Sequence, residues 1–444
     1  MENILRIKGG YIITMDSKMN VYKDYTLVIS GNTIVDILPN DTVESKYADV
    51  EVFTAEDKVI LPGLINTHLH TNLVRGFGDG KPLYQWHEEI AEAAGMTITP
   101  EEAYLGALVG YAEAIKSGTT TILALEKFSE KCYQAAQETG IRARLTPYIL
   151  DFEDCVDTIE LNLAYVQKTA APEERVRFWF GFDSFREASS KMIREIVALA
   201  KKFKTGLHTH SNESVDDLLL CRKQHQKDPI VYLHELGVLS ERTVLAHCVH
   251  LSEDERALMQ QTGTKVAHCP TSNMKLADGA APVVEYLSRG IKVGLGTDGA
   301  LTNSNYDLFE EMKFAVLLQR IIQKRADALT APEILKMATI GGAEVLGLSK
   351  EIGSLEKGKK ADICIMDLHK LHCLPFDPEE GSILISHLVF SANGADVDTV
   401  IINGKIVMTN RILQTIDEQK LLFDANKTGK HLIARLKLKG INFK

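Results

Sequence analysis

The sequence predicts an α/β protein: a (β/α)8 barrel joined to a small discontinuous β-sandwich drawn from both termini. Three observations predict it. Short apolar runs alternate with helical stretches over about 290 residues, Lys58 to Gly347, the rhythm of βα units that build a parallel sheet. That length and number of units suit a closed barrel better than one open sheet. Both ends of the chain read instead as strands joined by tight turns. The expected division is 1–57 for the first part of the sandwich, 58–354 for the barrel, and 355–444 for the second part with a C-terminal helix.

The elements follow in order. The run from Ile4 to Met15 is rich in Ile and Tyr, and Tyr25 to Ile29 and Thr33 to Ile37 flank a Gly31-Asn32 turn. Val59–Ile65 is strand-like, Glu101–Ser117 helical, Thr119–Leu125 strand-like and Glu130–Thr139 helical. Further apolar runs come at Arg142–Leu150, Val176–Phe180, Thr205–His210, Thr243–His247, Thr264–His268 and Ile291–Gly296. In the tail, Ala361–Asp367 and Val397–Ile402 read as strands, the second running into an Asn403-Gly404 turn.

Composition narrows the function. Hydrophobic residues at 45% and charged residues at 25% exclude a disordered chain and a collagen-like one. A net charge of −10 favours solubility and disfavours a broad nucleic-acid surface. The apolar runs stay short of the roughly 18 residues a membrane span needs. Seven cysteines, odd in number and without a C-x-x-C pair, fit free thiols in a reducing compartment, hence the cytoplasm. The basic stretch Lys427 to Lys444 reads as a solvated helix face.

A barrel places its chemistry at the C-terminal ends of its strands, and the histidines fall there. His68 and His70, at i and i+2 on a strand end, share a face and can reach one metal ion, although histidine pairs also occur as packed residues. His210 follows another apolar run as a candidate third ligand, with Glu213 placed as a proton shuttle. His208 reads as a partner of a ligand or as a hydrogen-bonded core residue. His247 ends a strand, placed to polarise substrate or orient the nucleophile, and His250 beyond it reads as a loop residue. His268 and Asn273 are candidates for lining the site. Asp298 closes an apolar run, where a carboxylate is costly unless paired or bound to metal.

With these residues in this order, the chain resembles the amidohydrolase superfamily. PGLINTHLH, the HxxE of His210–Glu213, LAHCVHL, HCPTSNMKL, GLGTDGA and, in the tail, GSLEKGKKADICIMD are similar to its deaminase and chlorohydrolase branch. That branch includes S-adenosylhomocysteine/methylthioadenosine deaminases, guanine deaminase and triazine hydrolases. The resemblance implies an aminohydrolase using one divalent metal ion, zinc or else iron, because no lysine matches the bridging carbamate of two-metal relatives. His68, His70, His210 and Asp298 would bind the metal, Glu213 and His247 would be the acid–base pair, and Asp298 would take the proton of the attacking water. It also implies a homo-oligomer.

Overall similarity points to an adenosine-derivative substrate. Two positions depart from that pattern: Gln85 precedes Trp86 where those deaminases carry an acidic residue, and Asp183 stands in the strand end that carries their nucleoside-contacting histidine. A triazine-, guanine- or pterin-type ring is therefore the alternative. Gln85, Trp86, Asp183, His268 and Thr302 are the candidate substrate contacts, with Glu126 as a further reader of ring amines. Trp86, Tyr84 and Phe182 are candidates for an aromatic wall, and Arg75 and Arg186 read equally as cavity or surface residues.

Overall fold

The computed structural model describes residues 4–47, 50–91, 97–151, 155–376 and 381–441. The terminal segments form two sheets. One has four strands in the order Thr33–Pro39, Tyr25–Ser30, Ile4–Lys8 and Glu51–Thr54. The other has seven and mixes the termini: Ile363–Met366 pairs antiparallel with both Val397–Ile402 and Val59–Pro62. Ile7, Leu27 and Ile29 from the first sheet pack with Ile12, Ile60, Ile363 and Ile401 from the second in one buried apolar cluster.

The middle of the chain is a mixed α/β fold with two parallel sheets. Leu64–Leu69, Thr119–Glu126, Arg142–Pro147 and Val176–Phe178 make the first. Phe180–Gly181, Leu207–Ser211, Thr243–His247, Lys265–His268 and Val293–Leu295 make the second. Their strands are buried almost throughout, as expected of sheets covered by helices.

Two runs that read as single strands are broken. Val59–Ile65 divides at Gly63: Val59–Pro62 joins the terminal sheet, and Leu64–Leu69 enters the parallel one. A Cβ on Gly63 would lie 2.1 Å from the Thr120 side chain, so only glycine lets the chain change sheets there. The first strand after position 57 thus pairs with the terminal segments. Val176–Phe180 divides at Trp179, whose N–H donates to Leu145 O at 2.9 Å while Phe180 turns to Gly206 O at 3.1 Å.

A buried ion pair ties the two regions together. Arg142 Nε and Nη2 donate to the two Asp362 oxygens at 2.6 and 3.0 Å, and Asn403 N donates to Asp362 at 2.7 Å. Both side chains are nearly inaccessible. Removing one partner strands a buried charge, which costs about 3–5 kcal/mol. Asp362→Ala is therefore expected to lose that much unfolding free energy in denaturant titration, and a loss below about 1 kcal/mol would contradict it.

The C-terminal helix Glu418–Leu438 starts at an Asp417 cap that accepts from Lys420 N at 3.0 Å. It is not simply a solvated face. Leu432 and Leu436 are buried against Val74, Leu83, Trp86 and Leu301, and Arg435 pairs with Glu102. Residues 442–444 of the basic stretch lie outside the described residues.

Candidate active site

Three histidines, all at strand ends, are wired so that one nitrogen of each is left facing the same point. A carbonyl oxygen only accepts, so the ring nitrogen touching it must carry the proton. His70 Nδ1 donates to Leu125 O at 2.6 Å and His210 Nδ1 donates to Asp183 O at 2.8 Å. His208 Nδ1 donates to Val244 O at 2.8 Å, which makes His208 Nε2 the acceptor for His68 Nδ1 at 2.8 Å. The free lone pairs are thus His68 Nε2, His70 Nε2 and His210 Nε2. His68 Nε2 is buried and has no hydrogen-bond partner among the described residues. His70 Nε2 and His210 Nε2 face each other at 3.0 Å, a contact between two acceptors that needs a cation or a shared proton.

Asp298 completes the set. Its Oδ1 lies 3.4 Å from His68 Nε2 and 3.7 Å from His70 Nε2. Ser272 Oγ donates to its Oδ2 at 2.6 Å, and Gly299 N donates to the histidine-facing Oδ1 at 2.7 Å. The chain reaches this geometry at a backbone cost, since Asp298 and His247 have φ of 61° and 71°. Gly296 is required two residues earlier, because a Cβ there would lie 2.9 Å from His68 Cβ and His68 O.

Electrostatics agree with the wiring. Burial pushes His70 and His247 down to about 4 and His208 to about 3, so all three are neutral imidazoles. Burial also disfavours charge on His210, but the Asp183 hydrogen bond and the charges of Asp183, Glu213 and Asp298 outweigh it and raise it to about 9. A proton on His210 Nε2 bridging to neutral His70 satisfies the 3.0 Å contact, and a divalent cation replacing it gains both nitrogens as ligands. Nitrogen and carboxylate donors of this kind, each oriented by a hydrogen bond on its far side, fit zinc or a similar cation. His208 is thus a partner of His68 rather than a packing residue. His208→Phe is expected to weaken zinc binding about 10–100-fold in a chelator competition; unchanged affinity would contradict the role.

Glu213 lies beside this set. Burial, the largest influence, raises its carboxyl to about 8 against the opposing pull of Arg186 and His210. Its Oε1 is 3.5 Å from His247 Nε2. Asp217 accepts from Glu213 N at 2.8 Å and is itself held by Arg186 Nη1 at 3.2 Å and Tyr84 OH at 3.0 Å. His247 Nδ1 lies 2.9 Å from Asn273 Oδ1.

A cavity opens over these groups. His70, His210, Glu213, His247 and Asp298 line it, with Glu126, Trp86, Asp183, Arg186 and Thr302 among the others. Burial raises Glu126 to about 7, although Thr71 and Tyr111 donate to its two oxygens. Several expected contacts lie elsewhere. Gln85 is exposed and donates to Glu89 Oε1 at 2.7 Å. His268 is fully buried and is not among the described residues lining the cavity. Phe182 is also core, and Tyr84 holds Asp217, which leaves Trp86 alone of the proposed aromatic wall on the cavity. Arg75 pairs with Glu113, away from the site.

Sequence reasoning missed Asp217, Ser272 and Leu432. Asp217 carried a signal, the Ser214–Asp217 capping box at the start of its helix. Leu432 carried a weaker one, its i, i+4 spacing to Leu436 within the basic tail.

The model of the Amidohydrolase family matches residues 59–407. A protein of Thermoanaerobacter pseudethanolicus named 5-methylthioadenosine/S-adenosylhomocysteine deaminase is 37% identical over 443 residues, covering 97% of this chain and 100% of its own. A 5'-deoxyadenosine deaminase of Methanobrevibacter smithii is 38% identical over 89% of this chain and 93% of its own. The crystal structure of a Xanthomonas campestris adenosine deaminase with bound zinc superposes with a TM-score of 0.91 at 27% identity, covering 97% of this chain and 98% of its own. The chain belongs to the amidohydrolase family.

Proposed function

We propose that this protein is a metal-dependent aminohydrolase that removes an amino group from a nitrogen heterocycle of the adenosine-derivative type. The observation that carries the reading is the convergence of three imidazole lone pairs and Asp298 beside a buried Glu213. The relatives at 37% and 38% identity, both named as deaminases of adenosine derivatives, supply the substrate class.

In this reading one zinc ion is held by His68, His70, His210 and Asp298. When bound, it supplies Lewis acidity that lowers the pKa of water towards 7. Asp298 takes the proton of the attacking water. Glu213, protonated near neutral pH, gives its proton to the ring nitrogen beside the amine-bearing carbon. Glu213, now a carboxylate, takes the proton of the added hydroxyl and hands it to the departing nitrogen, which leaves as ammonia as the ring carbon becomes a carbonyl; the proton held by Asp298 then returns to Glu213.

His247 faces the oxygen that gains charge during the addition. Asn273 Nδ2 is buried without a partner, and turning its amide over lets Nδ2 donate to His247 Nδ1. The imidazole proton then sits on Nε2, where it donates to the developing oxyanion.

The architecture fits the reading. We take the two parallel sheets as halves of one (β/α)8 barrel, since Asp298 N donates to His68 O at 3.1 Å at one seam and Trp179 N to Leu145 O at 2.9 Å at the other. We take the terminal sheets with their shared apolar cluster as the sandwich, with domain limits near 1–57, 58–354 and 355–444 except that Val59–Pro62 goes with the terminal strands it pairs with. The seven free cysteines support a reducing, cytoplasmic setting. Among the described residues no helix is long and apolar enough to cross a membrane. A homo-oligomer is proposed from the family resemblance.

A non-nucleoside ring is the second reading. It is favoured by Gln85 turning to Glu89, away from the cavity, and by Asp183, whose Oδ1 lies 3.3 Å from His210 Nδ1, standing where the adenosine-derivative pattern has a histidine. Ammonia or chloride release from methylthioadenosine, S-adenosylhomocysteine, adenosine, guanine, a pterin and amino- or chloro-triazines decides between them. Turnover of the adenosine compounds supports the first reading; turnover of the free rings alone replaces it with the second.

A further inference from the structure

We propose that the C-terminal helix Glu418–Leu438 belongs to the substrate site: Leu432, with Leu83, Trp86 and Leu301, forms an apolar subsite for a nonpolar substituent of the heterocycle. The proposal rests on the aminohydrolase reading above and adds the character of the substituent. The cavity has two unlike kinds of lining. His70, His210, Glu213 and Asp298 supply its polar lining, and Leu83, Trp86, Leu301 and Leu432, which pack together, supply an apolar part. These four side chains are each less than a tenth exposed and pack in a single cluster.

The helix is held firmly enough to serve as a wall. Lys116 Nζ donates to Glu418 Oε1 at 2.7 Å near its start. Near its end Arg435 pairs with Glu102 and donates to Thr97 O at 3.0 Å, and Lys439 Nζ donates to Thr97 Oγ1 at 3.2 Å. Glu102 also lines the cavity, but its carboxylate is engaged by Arg435 and by Thr99 N at 2.9 Å. A hydroxyl placed against Leu83, Leu301 and Leu432 loses its water partners and finds no polar group on them; the one polar atom of the cluster is the buried Trp86 Nε1, a donor only. An alkyl or alkylthio group there gains contact, and in such sites one methylene changes specificity by about 10–200-fold.

The test uses two ring-matched pairs: methylthioadenosine against adenosine, and a butylamino- against a hydroxyethylamino-diaminotriazine. Each is assayed with the zinc-loaded full chain for kcat/KM, and in the Glu213→Gln background for binding by equilibrium dialysis. Wild type is expected to favour the apolar member about 10-fold or more. Leu432→Ser is expected to bring that preference to within about threefold of parity, and Leu432→Met to restore it. Leu301→Ser, on a separate loop, gives the same test if Leu432→Ser fails to fold. An unchanged preference in a folded serine variant, equal use of both members by wild type, or no binding of either apolar compound overturns the subsite. Binding that favours the apolar member without any ammonia release overturns the aminohydrolase reading and leaves the subsite standing.

Discussion

Glu213→Gln is expected to lower kcat for deamination by about 10²–10⁴-fold, the range of a positioned proton donor, with KM and zinc content nearly unchanged. Gln is close in shape but cannot carry the proton that the ring nitrogen needs. Glu213 is 4% exposed and burial holds its carboxyl near 8, so the group is protonated at neutral pH where an ordinary glutamate is not. The sign of the pH dependence follows. The acid form is present below about 8 and is lost as pH rises, so kcat/KM of the wild type declines on the alkaline side. The residual activity of the Gln variant lacks that decline. Wild-type turnover by Glu213→Gln would remove this residue from the mechanism.

Asp298→Asn is expected to cost at least about 10³-fold in kcat, because in the proposed mechanism it removes both an anionic ligand and the base for the attacking water. The structure also predicts how the variant fails. Three imidazole nitrogens remain, each oriented by its own hydrogen bond, so zinc is retained with lowered affinity rather than lost. Ser272 Oγ and Gly299 N, which donate to the aspartate at 2.6 and 2.7 Å, fix the orientation of whatever replaces it. Near wild-type kcat with normal zinc content would contradict the assignment of Asp298.

Much of this site was legible in the sequence because strand periodicity and site geometry coincide. His68 and His70 share a face by the two-residue repeat of the strand, and His210, His247 and Asp298 each close an apolar run. The wiring behind them was not legible, since it depends on pairs far apart in the chain. His208 reaches His68 across 140 positions, and its role emerges only when two strands are placed side by side. Gln85 and His268 were drawn to the cavity by motif position. One is exposed on a short helix and the other is fully buried at the end of its strand, off the described cavity lining, and neighbouring residues in a motif do not reveal that difference. Leu432 was hidden by its charged surroundings: the basic residues of the tail dominate its composition, while a few leucines decide which face is buried. The split of Val59–Ile65 escaped because both halves are equally apolar and only the crowding at Gly63 marks the change of sheet.

The most direct test of the account is a zinc titration of chelator-treated protein, following ammonia release from methylthioadenosine or whichever ring the enzyme accepts. The account predicts no release from the metal-free protein and a rise that saturates at about one zinc per chain, as one site built from His68, His70, His210 and Asp298 requires. Release that persists without metal, or that saturates only at about two per chain, would contradict it.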